Sequence, residues 1–150
     1  MTTKIPYGLI GLVTILILPL TVSAQDYTQT IKRSAAFEYA GAVNNKLSIC
    51  NIHGSVSVEG YDGEEIMITA IQTINGSERE VELAKEELSL RVEQDGSMVL
   101  IYIDAPFITL NRKGDRIRYR IDRWDDDYKF LFDITVRVPK NTQIYASTIN

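Results

Sequence analysis

The sequence predicts an all-β protein: a β-sheet segment leading into a single-stranded β-helix (solenoid), with one short inserted helix at about residues 77–88. Three observations carry this. From Tyr128 to Val138, apolar side chains recur at every second position: Tyr128, Phe130, Phe132, Ile134, Val136 and Val138 share one face, with Leu131 the exception on the other. A strand sends alternate side chains to opposite faces, whereas a helical period would scatter these six around the axis. Two further alternating segments, Ser89 to Gln94 and Met98 to Ile103, flank Asp95-Gly96, a strong type I′ hairpin signal. Finally, a weak internal repeat sets Asn51-Ile52-His53-Gly54 against Thr148-Ile149-Asn150, aligning Ile52 with Ile149 and His53 with Asn150. Short strands turning on residues that tolerate positive φ are the pattern of a stacked β-coil.

The elements follow in chain order. Residues 1–24 read as a secretory signal peptide. Lys4 supplies the positive charge and Tyr7 to Leu20 the apolar core. Val22 and Ala24 are the small residues before a cut expected between Ala24 and Gln25. The apolar run falls short of the roughly 20 residues that a membrane-crossing helix needs, so no integral membrane segment is expected after cleavage. Residues 25–34 are polar and read as a flexible lead-in, ahead of one β-rich domain over 35–150 that stops at the first solenoid rungs.

Within that domain Leu47 and Ile49 alternate with Lys46 and Ser48, and Val56 and Val58 with Ser55, Ser57 and Glu59. Gly54 between them marks a turn or bulge. Tyr61-Asp62-Gly63 reads as a turn in which Gly is available for positive φ. Ile66 to Ile74 is a β-branched run with two buriable faces. Ser77 and Glu80 form a capping box, and Val81, Ala84 and Leu88 then make a narrow apolar stripe on a helix expected to cover the sheet. Pro139 ends the long strand, and Thr142 to Asn150 begins another extended segment.

The chain resembles the adhesin-like β-strand repeat family of unknown function (DUF4097). Three stretches carry the resemblance: Leu47 to Ala70, the charged helix from Ser77 to Leu88 with the Leu90-to-Gly96 strand after it, and Asp133 to Asn150. It implies an exported protein whose N-terminal β segment leads into rungs of a single-stranded β-helix. The family has no established catalytic residues, so none carries over. Its members normally continue into a row of rungs, of which only the first begins here.

Composition narrows the function. One Cys supports neither an internal disulfide nor a Cys-rich zinc site, and one His rules out His-paired metal motifs. A net charge of −4 argues against a nucleic-acid partner. No nucleophile elbow, phosphate loop or dinucleotide fingerprint is present, so neither an enzyme nor a cofactor is expected.

The surface-binding candidates are Arg116, Arg118, Arg120 and Trp124. The three arginines alternate with Ile117, Tyr119 and Ile121, which puts their guanidinium groups on one strand face. Such a stripe suits an acidic glycan, lipid A or another anionic surface. It equally suits the solvent face of an exposed strand, balanced by the acidic residues beside it and blocking edge-to-edge aggregation. Asp122, Asp125, Asp126 and Asp127 around Trp124 read as a solvated turn, because a calcium loop would need a Gly and a distal Glu. His53 reads as a turn residue standing where Asn is usual, and Cys50 as a small buried hydrophobe. Asn75-Gly76-Ser77 matches a glycosylation sequon, although Ser77 already has a capping role.

The expected function is therefore an exported, non-catalytic surface or periplasmic adhesin-like module. Its partner would be an unknown surface, glycan or protein ligand. The alternatives are a carbohydrate-active β-helix enzyme, by fold analogy, and a structural envelope protein pairing through its open C-terminal strand edge. Self-association through Thr142–Asn150 is expected on the last ground.

Overall fold

The computed structural model describes residues 25–114, 116–121 and 128–149. The strands are β1 (Gln25–Ala36), β2 (Lys46–Asn51), β3 (Val56–Tyr61), β4 (Glu65–Gly76), β5 (Ser89–Asp95), β6 (Met98–Asp104), β7 (Ile108–Lys113), β8 (Arg116–Ile121), β9 (Lys129–Pro139) and β10 (Gln143–Thr148), and α1 spans Glu78–Glu87. The all-β expectation holds. The first sheet has the order β1-β4-β9-β3, the second β10-β2-β6-β5, and β7-β8 form a separate hairpin. Both four-stranded sheets are open, and no coiled run of solenoid rungs lies among the described residues.

One apolar core lies between the two sheets. The first contributes Ile66, Ile68, Ala70 and Ile74 from β4 and Phe132, Ile134, Val136 and Val138 from β9. The second contributes Leu47 and Ile49 from β2, Val99, Ile101 and Ile103 from β6, and Leu90 from β5. The alternation in β9 thus faces inward as expected. The hairpin covers the outer face of the second sheet, where Cys50, Met98 and Leu100 meet Ile117 in a smaller cluster. This second cover explains why β6 reads as a nearly continuous apolar run: both of its faces are buried.

α1 is legible in its sequence. The Ser77 amide donates to Glu80 Oε2 at 2.6 Å, and the Glu80 amide donates to Ser77 Oγ at 3.5 Å. Val81, Ala84 and Leu88 are buried in the main core. The helix carries the chain from β4 of one sheet to β5 of the other, packing on β4 and β1.

Several expectations need correction. Residues 25–34 are not a flexible lead-in: they form most of β1, which pairs antiparallel with β4 from Gln25↔Gly76 to Ala36↔Glu65. Tyr27, Ile31 and Ala35 pack on the core. Gln29, which breaks their apolar alternation, donates from Nε2 to Oε1 of the buried Gln72 at 2.5 Å. The hairpin loop between β5 and β6 is Gly96-Ser97, one residue later than expected, because Asp95 pairs with Met98. Only Gly96 has positive φ there (59°), the pattern of a II′ turn and not of I′. Gly63 has no positive φ; a Cβ there would overlap the Tyr61 ring. β4 buries one face only, since Met67 and Ile71 on the other are exposed. Positive φ in the turn after β2 falls on Gly54 (107°) and not on His53, whose ring meets Phe130 edge-on at 5.4 Å. A Cβ on Gly54 would overlap the Phe132 carbonyl, so this turn sits directly against β9.

The internal repeat has a structural counterpart. β10 lies parallel to β2 with Gln143 beside Lys46 and Thr148 beside Asn51. That register is the one in which Ile52 aligns with Ile149. The ladder runs on past the strand, with the Ile149 amide donating to the Asn51 carbonyl at 3.2 Å, and Thr148 Oγ1 donates to the Gly54 carbonyl at 3.2 Å. β3 lies parallel to β9 in the opposite sheet.

Candidate functional site

The β7–β8 hairpin gathers the basic residues. Its register pairs Ile108 with Ile121, Leu110 with Tyr119 and Arg112 with Ile117 on one face, and Thr109 with Arg120, Asn111 with Arg118 and Lys113 with Arg116 on the other. Directly opposed residues share a face in an antiparallel pair, so the two sets separate cleanly. Gly114, with φ 62°, makes the bend.

The first set docks the hairpin. Ile117 is buried, and Tyr119 reaches into the second sheet. Its hydroxyl donates to the Cys50 carbonyl at 2.8 Å and accepts from the Ile103 amide. Burial of that hydroxyl pushes its pKa well above the ordinary value. Arg112 leaves the docked face sideways and pairs with Asp95 across 2.7 Å. Burial likewise raises the Cys50 thiol, whose sulfur accepts from Ser147 Oγ at 3.3 Å. A buried, neutral thiol is a packing residue and not a nucleophile.

The second set faces solvent. Lys113, Arg118 and Arg120 are exposed, as is Asn111, with Thr109 half-buried and Arg116 at the register position opposite Lys113. β7 and β8 contain no Asp or Glu. Successive outward residues on one strand stand about 6.6 Å apart and opposed residues about 5 Å apart, so the face presents a compact cationic grid with amide and hydroxyl donors between the charges. A groove of about 330 Å³ runs beside it, between Ile117 and Arg118 on the hairpin and Tyr145, Ala146 and Ser147 on β10, with Ser48 at its floor.

Of the expected surface residues, Arg118 and Arg120 share this exposed face and Arg116 occupies the matching strand position. Trp124, the acidic residues Asp122 and Asp125 to Asp127, and Ala24 of the expected cleavage site lie outside the described residues. Gln25, on the other side of that site, is the first residue of β1. Sequence reasoning missed Lys113, Asn111 and Thr109; the signal was the alternation Ile108-Thr109-Leu110-Asn111 ahead of Gly114. It also missed Asn51, which is fully buried. Asn51 donates from Nδ2 to the Phe132 carbonyl at 2.7 Å and accepts the Ile52 amide at 2.9 Å, fixing the turn. In the sequon, Asn75 donates to Asp26 and Ser77 caps α1. No cluster of His, Cys, Asp or Glu among the described residues is placed to hold a metal ion, and no helix among them is long and apolar enough to cross a membrane.

Comparison of the chain with protein-family models, with curated proteins and with solved structures finds no match.

Proposed function

We propose that this chain is an exported, non-catalytic, adhesin-like module that holds a polyanionic surface polymer on the outer face of the β7–β8 hairpin. The observation that carries this reading is the segregation of Lys113, Arg118 and Arg120 onto one exposed face of a hairpin whose two strands carry no Asp or Glu, in a chain whose net charge is −4. A basic patch on an acidic protein is a local design, because net charge alone would repel such a partner. Guanidinium groups suit carboxylate and phosphate oxygens through paired donors, and Asn111 and Thr109 add neutral donors for sugar hydroxyls.

Export rests on the leader pattern of residues 1–24, and a cut between Ala24 and Gln25 would leave β1 whole. The solenoid reading rests on the stacking of β10 on β2 in the register of the sequence repeat, with Ile149 continuing over the Asn51 turn. The structural-envelope reading draws on the same feature, an edge strand that repeats the strand beneath it.

Binding is tested on immobilised alginate and on vesicles bearing lipid A, at low and high salt. Two arms separate a carboxylated glycan from a phosphorylated lipid. The expected result is salt-sensitive retention in one arm, weakened at least about tenfold by Lys113→Glu with Arg118→Glu, the circular dichroism spectrum being unchanged. Retention that ignores both salt and these substitutions would overturn the proposal.

A further inference from the structure

On the helix side the sandwich ends in two edge strands, β1 of the first sheet and β5 of the second, which lie against each other. Arg33 of β1 stands opposite Ile68, and Ala35 opposite Ile66, so both share the core-facing side of their sheet. Gln94 of β5 stands opposite Val99 and shares the core-facing side with Leu90 and Val92. Each edge strand thus places a polar side chain on the side that elsewhere builds the core. Gln29, in the same series as Arg33, is accounted for by its bond to Gln72. Arg33 and Gln94 are exposed instead. The Arg33 guanidinium donates from Nη1 to the neighbouring Lys32 carbonyl at 3.0 Å and makes no ion pair among the described residues.

A cleft of about 440 Å³ lies between these strands, lined by Arg33 and Ala35 from β1 and by Leu90, Val92 and Gln94 from β5. Leu90 is buried, and Ala35 and Val92 are half-buried, so the cleft joins an apolar lining to two exposed hydrogen-bond donors. None of the described residues that line it is Asp or Glu. The second arginine beside it, Arg91, is drawn to Asp104 across 3.2 Å, which leaves Arg33 as the uncompensated charge. Other grooves of the sandwich are acidic by contrast, with Glu86, Glu87 and Asp104 beside α1 and Asp62 and Glu64 in the turn after β3. An inward charge on an edge strand also deters pairing with another chain. That role needs the charge alone and asks nothing of Gln94 or of the apolar lining.

We propose that this cleft binds a small carboxylate carried on a short hydrocarbon body. The planar guanidinium of Arg33 matches two carboxylate oxygens with two parallel donors, and the Gln94 amide adds a third. The hydrocarbon lies against Ala35, Leu90 and Val92, where leaving water favours it. Charge sets the choice of ligand: an ammonium head would be repelled by Arg33, and an alcohol would leave its paired donors unmatched. The cleft volume falls within the range of small-molecule sites, and an apolar lining with a few placed polar groups is their usual composition. β5 is at the opposite edge of its sheet from β10, and the β7–β8 hairpin contributes no residue to the cleft. The inference therefore does not depend on the anionic polymer proposed for the hairpin.

The test is a titration of the full chain, recovered after export by an expression host, with hexanoate, hexan-1-ol and hexylamine, read from amide chemical shifts by NMR. Hexanoate is expected to shift the amides of Ala35, Leu90 and Val92 saturably, with a Kd below about 10 mM. The alcohol and the amine should bind at least about fivefold more weakly. Arg33→Gln removes the charge from an exposed position and should abolish the preference for hexanoate over hexan-1-ol. Arg33→Lys keeps the charge on the edge but loses the paired donors, and should leave only part of the preference. Hexanoate that gives no saturable shift of these amides, an alcohol that binds as tightly, or a full preference retained in Arg33→Gln would each overturn the inference.

Discussion

On one side of the sandwich β1 and β5 lie against each other and α1 packs across β4 and β1; on the other side β3 meets β10, and no described element lies beyond them. The two sides share one core and use it differently. On the helix side Leu90 of the edge strand β5 is 8% exposed, and Val81 and Ala84 of α1 fill the space beyond the sheets. On the other side Ile144, which also faces the core from an edge strand of the same sheet, is 44% exposed. The edge strands differ in chemistry as well, charged on the helix side and uncharged in β10. A sandwich of this size has enough interior to be stable with one side left open by the described residues.

A pair of substitutions gives the largest contrast. Leu90→Ala removes a buried side chain and should cost about 2–4 kcal/mol in chemical denaturation. Ile144→Ala, at an inward position on the opposite edge, should cost under about 1 kcal/mol, because much of that side chain already meets water. Equal costs would mean that the two sides are equally covered.

A smaller effect separates the docked hairpin from β10. The hairpin is pinned through Tyr119, whose hydroxyl bonds the Cys50 carbonyl and the Ile103 amide and is held neutral by burial. The folded protein therefore keeps a proton that the unfolded chain releases above about pH 10. Stability from this group is complete below that pH and is lost as the pH rises beyond it. Tyr119→Phe should lower stability at neutral pH and flatten the alkaline decline, as read from urea midpoints between neutrality and pH 11. A decline of unchanged slope would remove Tyr119 from that role.

The sequence was most informative where the determinants are local. The capping box of α1 needs only Ser77 and Glu80, and β9 declares itself through its own alternation. The arginine stripe is visible because Arg118 and Arg120 flank Tyr119, but its partner strand was not, since the cross-strand match of Asn111 with Arg118 appears only after the hairpin closes. β1 was hidden for a nonlocal reason: Gln29 looks like a loop residue until Gln72 comes to meet it. The insertion of β9 between β4 and β3 could not be read from any segment, because it depends on pairing with β4 across about 60 residues of chain. Asn51 belongs with these, its role fixed by the Phe132 carbonyl. The repeat, by contrast, aligned Ile52 with Ile149, and β10 pairs with β2 in that same register.

Residue-resolved amide exchange over 143–149 in dilute protein tests the open side most directly. An alternating pattern is expected, with the amides of Gln143, Tyr145, Ser147 and Ile149 protected by β2 and those of Ile144, Ala146 and Thr148 exchanging close to the rate of an unstructured chain. Uniform protection across the segment would mean that this edge is already covered within the monomer, and would contradict the account.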